Sequence, residues 1–116
     1  MGKAKDDLFW LAQRAEGNPR VQRTIETWTA AIQFNLRGEP QPLTLLVGGG
    51  GLKAIVGPHI KPTIVVTGQA KALAPVLTGD LDITHPIARG EIEIARGSYN
   101  DLLNLSRIAL AAKRGG

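Results

Sequence analysis

The sequence predicts an α+β fold, on three observations. Apolar residues recur at helical spacing toward both ends of the chain, they alternate with period two through its middle, and glycine or proline stands at most changes of period. At 116 residues with a 43% hydrophobic composition, the chain has enough apolar surface to fill one core, so residues 1–116 are expected to form a single domain.

From Asp6 to Ala15, Leu8, Leu11, Ala12 and Ala15 fall at helical spacing, with Asp6 to cap the start and Gly17 to supply a left-handed stop. Asn18 followed by Pro19 is a second start signal, and Val21, Ile25 and Trp28 share one face of the short helix that it opens. The period then changes to two. Ala30, Ile32, Phe34 and Leu36 alternate with Thr29, Ala31, Gln33 and Asn35, as in a strand with one buried face. After a turn over 37–42, the stretches 43–47 and 52–56 read as strands joined through Gly48 to Gly51, and 63–67 reads as another.

Ala70, Leu73, Ala74 and Leu77 then mark a helix over 69–77, in which Pro75 predicts a kink or a division into two short turns. Residues 79–86 read as a loop carrying Leu81, Ile83 and Pro86, and 91–95 as a last strand whose polar face is solvated. Ser98 with Asp101 three residues on resembles a capping box, opening a helix that carries Leu102, Leu103, Leu105, Ile108, Ala109 and Leu110. Such an apolar face usually closes a core, and a ligand lid is the alternative.

Composition narrows the function classes. Fourteen Lys and Arg against ten Asp and Glu give a formal charge of +4, which favours anionic lipid surfaces, acidic ligands or nucleic acid through long-range attraction. The cations are dispersed, so a solvated surface with at most weak membrane contact is the expectation. With Phe9, Trp10, Trp28, Phe34 and Tyr99 as its aromatics, the chain has little from which to build base-stacking platforms, and nucleic-acid binding is not expected. The absence of cysteine excludes disulfides, thiolate nucleophiles and thiolate metal ligands. The N-terminal apolar run is broken by Gln13, Arg14 and Glu16, so neither a signal peptide nor a membrane span is expected there, and the cytoplasm is the default location.

Candidate chemistry is sparse. Gly48 to Gly51 is followed by Leu52, Lys53 and Ala54, without the Lys and Ser or Thr of a phosphate loop, so a hairpin turn is favoured over a nucleotide site. His59 and His85 each lie near proline with no partner at metal-ligand spacing. Ser98 and Ser106 fit a helix start or face and stand in no nucleophile elbow, and Asp80 and Asp82 fit turn formation. Catalysis, a metal and a cofactor are therefore not expected. Abundant aliphatic residues without convergent polar chemistry suit a protein that surrounds something apolar.

Three stretches, TWTAAIQFNLRGE, LTLLVGGGGLKAIVG and PTIVVTGQAKALAPVLTGDLDITHPIARGEIEIARGSYNDLLNLSRIA, resemble the sterol carrier protein type 2 family over 25–111. The order of elements carries the likeness: a strand, a short helix ending at Gly79, a connection, a strand opened by Gly90, a turn at Gly97 and a closing helix. The resemblance implies a mixed, mostly antiparallel five-stranded sheet covered on one face by helices, with an apolar tunnel between. It also implies non-enzymatic binding or transfer of a sterol, fatty acid, fatty acyl-CoA or phospholipid. By position, Phe34, Leu45 and Val66 of the sheet, Leu73 and Leu77, the loop residues Leu81, Ile83 and Ile87, and Leu103 would line the tunnel, although plain core is the commoner role for each. The alternative is an accessory subunit of lipid or isoprenoid metabolism whose groove takes a protein partner or a second copy.

Overall fold

The computed structural model describes residues 3–114, so Met1, Gly2, Gly115 and Gly116 of the expected domain lie outside it. The elements run α1 (Lys3–Ala15), α2 (Pro19–Ile25), β1 (Ala30–Arg37), β2 (Leu43–Gly48), β3 (Gly51–Val56), β4 (Ile64–Gln69), α3 (Ala70–Leu77), α4 (Thr84–Ala88), β5 (Ile92–Arg96) and α5 (Tyr99–Arg114). The strands form one five-stranded sheet in the order β3-β2-β1-β4-β5. Neighbours are antiparallel except β1 and β4, which run parallel in the centre.

The period-two pattern decides which face of the sheet is covered. Ile32 and Phe34 of β1, Leu43, Leu45 and Val47 of β2, Ile64 and Val66 of β4 and Ile92 of β5 are buried. They share a cluster with Leu8 and Leu11 of α1, Leu73 and Leu77 of α3, and Leu102, Leu105 and Ile108 of α5. In β1 the residues between them, Gln33 and Asn35, are half-buried and exposed, on the face that no helix covers. The helices also brace one another, α1 against α3 and α5, and α2 against α5.

Two turns show why glycine is placed where it is. β2 and β3 are joined through Gly49 and Gly50, with φ of 60° and 76°; two left-handed residues in succession make the tight turn whose twist matches a hairpin. At the end of α3, Gly79 has φ 78°, and a Cβ there would come within 2.6 Å of the Ala109 carbonyl oxygen of α5. The missing side chain lets two backbones meet.

Four expectations are corrected. α1 begins at Lys3 rather than Asp6, so Asp6 sits in its first turn and complements the positive end of the helix instead of capping it. α2 ends at Ile25, and Trp28 is buried beyond it rather than on its face. Pro75 does not divide the segment into two turns but stays inside a single helix, α3; it lies near the C-terminal end, and its own carbonyl accepts from the backbone N–H groups of Asp80 and Leu81. Residues 84–88, read partly as loop, form the single turn α4. That turn is held locally, because Asp82 Oδ1 accepts from the Thr84 backbone N–H at 2.9 Å and Ser106 Oγ accepts from that of Ile83 at 2.9 Å.

Candidate functional site

Small residues open a cleft between α1 and α3. Ala70 and Ala74 lie one turn apart on α3, and Ala4 stands on α1; with Pro75 they wall a cleft of about 740 Å³. Gly38, just after β1, closes one end, where a Cβ would stand 3.3 Å from that of Ala70. The volume falls within the range of small-molecule sites, about 300–1,000 Å³.

Around this apolar wall stands a charged rim: Lys3 and Asp7 on α1, Arg37 and Glu39 at the end of β1, Lys71 on α3, and Asp80. The carboxylates are largely occupied. Glu39 Oε2 accepts from the Lys5 backbone N–H at 3.3 Å, which fastens the β1–β2 turn to the first turn of α1. Asp80 accepts from Lys113 Nζ at 2.6 Å and from Thr78 Oγ1 at 2.8 Å. Those two hydrogen bonds, that from Lys113 foremost, hold the Asp80 carboxyl below its ordinary value. Asp82, outside the cleft, is lowered as well, chiefly by the Thr84 backbone N–H.

Asp7 differs. Its Oδ2 is buried without a hydrogen-bond partner, with Lys3 Nζ 4.0 Å away, and burial pushes the carboxyl above its ordinary value although Lys3 pulls the other way. Arg37 and Lys71 are exposed, and neither takes part in an ion pair among the described residues. The rim therefore offers two free cations beside an apolar wall.

The nine residues expected to line a tunnel occupy the core and its margins. Phe34, Leu45, Val66, Leu73, Leu77 and Ile83 are together in the buried cluster, with Phe34 opposite Val66 across the central strand pair. Ile87 and Leu103 are half-buried and packed against that cluster. Leu81 lines a smaller cleft of about 240 Å³ with Ala72, Arg89 and Glu91. None of the nine lines the 740 Å³ cleft. Its wall was hinted at in sequence only by Ala70 and Ala74 on one helical face; Arg37, Glu39 and Asp7 carried no motif.

The matching family model, described as the SCP-2 sterol transfer family, covers residues 11–109. The chain belongs to that family. Membership gives lipid or sterol binding or transfer as the general function, in carrier domains that are generally not catalytic. Solved structures agree on the fold. Sterol carrier protein domain 2 of Helicoverpa armigera is 19% identical, with TM-score 0.70, over 97% of this chain and 89% of that one. A ubiquinone synthesis protein, UbiJ-SCP2, is 17% identical, with TM-score 0.69, over 90% of this chain and 85% of that one. The palmitated SCP2L2 of Aedes aegypti is 15% identical, with TM-score 0.61, over 94% of this chain and 93% of that one. No curated protein matches the chain. Among the described residues, no helix is long and apolar enough to cross a membrane, and no cluster of His, Asp and Glu could hold a metal ion.

Proposed function

We propose that the chain is a non-enzymatic, cytoplasmic carrier, acting as one unit, that takes an amphiphile with an acidic headgroup into the cleft between α1 and α3. The observation that carries this is the cleft itself, an alanine-lined wall of ligand size beneath two unpaired cations, Arg37 and Lys71. Removing apolar ligand surface from water drives binding at about 25 cal/mol per Å² with little polar specificity. Arg37 can grip a carboxylate or phosphate with two parallel hydrogen bonds, and Lys71 adds a point charge. Behind the wall lie Phe34, Leu45, Val66, Leu73, Leu77 and Ile83. In this reading a ligand tail extends toward them when α1 moves off α3, with Leu81, Ile87 and Leu103 at the margins. The palmitated state of the Aedes aegypti relative supports an acyl chain as tail.

The test is titration of a fluorescent fatty acid, followed by displacement with unlabelled palmitate. Saturable binding is expected, with affinity strongly reduced in Ala74→Trp, which fills the cleft, and in the double variant Arg37→Gln, Lys71→Gln. Failure to saturate with the native protein, or full affinity in Ala74→Trp, would sink the reading.

A second reading, an accessory subunit whose groove takes a protein partner or a second copy, is favoured by one observation: the likeness to the ubiquinone synthesis protein. Native mass spectrometry of the freshly purified protein separates the two. A bound lipid at fixed stoichiometry supports the carrier, and a stoichiometric protein partner with no lipid supports the accessory role.

A further inference from the structure

The face of the sheet opposite the helices carries no helix in the described structure, and the segment between β3 and β4 crosses part of it, burying Ala31 and Thr44. That segment is fixed at several points. The Gly57 backbone N–H donates to Pro42 O at 2.7 Å, and Thr44 Oγ1, from the same open face, donates to Gly57 O at 2.8 Å. The His59 N–H donates to Gln33 Oε1 and the Lys61 N–H to His59 Nδ1, both at 3.0 Å. Pro58 and Pro62 restrict the chain on either side. At the crest of this braced loop stands Ile60, 98% exposed.

A single exposed aliphatic residue is ordinary on a protein surface. Ile60 differs in being held out by a loop with little freedom to withdraw it, and in its surroundings. By strand register the same face carries the half-buried Leu46, Ile55 and Val65, and the cations Lys53 and Arg96, with Lys61 beside Ile60. Arg37, odd-numbered like Gln33 and Asn35 along β1, ends the row at the rim of the cleft. Among the described residues the face holds one exposed, unpaired carboxylate, Glu93; Glu91, just before β5, is taken by Arg89 at 3.4 Å. An apolar tip inside a cationic field suits a surface with an anionic layer over an apolar one.

We propose that this open sheet face docks on anionic lipid bilayers, with Ile60 inserting at the headgroup boundary and Lys53, Lys61 and Arg96 facing the lipid phosphates and carboxylates. The proposal goes beyond the carrier reading, because docking does not depend on what the cleft holds. Docking brings Arg37, and with it the mouth of the cleft, toward the membrane.

Co-sedimentation with vesicles of equal parts phosphatidylcholine and phosphatidylserine tests it, with pure phosphatidylcholine as comparison. The native protein is expected to partition onto the anionic vesicles, less so as salt rises, and hardly onto the neutral ones. Ile60→Ser should weaken partitioning about tenfold, the worth of burying one such side chain. Lys61→Gln should weaken it about fivefold, the worth of one cation near an anionic surface. Glu93→Gln should strengthen it while keeping the melting temperature of the native protein. Ala74→Trp should bind vesicles as the native protein does, so a failed carrier reading and a failed docking reading give different results. Equal binding to both vesicles, binding to neither, or partitioning indifferent to Ile60 and Lys61 would overturn the proposal. So would self-association that Ile60→Ser abolishes, since the face would then belong to a second copy.

Discussion

Gly79 and Asp7 are positions where one atom decides the balance. A Cβ on Gly79 meets a backbone carbonyl of α5 at 2.6 Å, and the residue also holds a left-handed φ, so Gly79→Ala combines backbone strain with a clash that no rotamer relieves. A loss of about 3 kcal/mol in urea unfolding is expected. Gly17→Ala is the control: its φ is 73° but nothing lies within 4 Å, so about 1 kcal/mol is expected. For Asp7 the sign runs the other way. Its carboxyl is raised from 3.8 in the fold, so ionisation opposes folding once the pH exceeds 3.8, and the penalty is absent below it. Asp7→Asn should therefore raise the melting temperature at pH 7, and the gain should shrink as the pH falls through the carboxylate range. A gain independent of pH would point to packing instead. Asp80 and Asp82 are lowered in the fold, so what they add to stability is present above 3.8 and lost only as the pH falls through their lower native values.

Helix caps show which signals are local enough to read from sequence. Ser98 Oγ accepts from the backbone N–H groups of Asn100 and Asp101, the arrangement that the Ser98 to Asp101 spacing predicts. Ser98→Ala should cost about 1 kcal/mol. Asn18 was legible in the same way as the start of α2, but its side chain does more: Oδ1 accepts from Arg20 and Val21, while Nδ2 donates to the Ala111 carbonyl of α5. Because Asn18 is buried, Asn18→Ala leaves that carbonyl without its partner and should cost about 2 kcal/mol. Equal losses in the two variants would show that the bond to α5 contributes nothing. The difference marks the limit of sequence reading. The strands, the hairpin and both long helices follow from period and punctuation within a few residues of one another. α4 was missed because its hydrogen bonds come partly from Ser106, 23 positions away, and Trp28 was misplaced because burial beyond α2 covers its ring as well as a helical face would, although its Nε1 is left without a hydrogen-bond partner. The cleft was missed for the same reason: Ala4, Arg37 and Ala74 meet only once α1 has packed on α3, and small residues announce no chemistry. The larger residues that do stand out in sequence, Phe34 and Leu73 among them, went into the core.

Across the whole molecule, the two faces of the sheet differ. The covered face carries the apolar core, and the open face carries charge and one braced apolar tip, with Arg37 where the open face reaches the rim of the cleft, so in the proposed reading capture and docking share that residue. α1 spans between them in stability: it packs on β3 and α5 as well as on α3, yet its first turn is tied across the cleft by one hydrogen bond from Lys5 to Glu39. In the proposed reading, opening that end would uncover the cleft wall. A ligand held there binds the native chain and not the unfolded one, so it adds stability by mass action, about 2.7 kcal/mol at a hundred times its dissociation constant. Palmitate should therefore raise the melting temperature in proportion to the logarithm of its concentration, and Ala74→Trp should abolish the shift while keeping its own transition cooperative. Hydrogen exchange should slow on binding in the first turns of α1 and α3, and stay unchanged in β2 and β3. A thermal shift that survives in Ala74→Trp, or protection spread evenly over the sheet, would place the ligand outside the cleft.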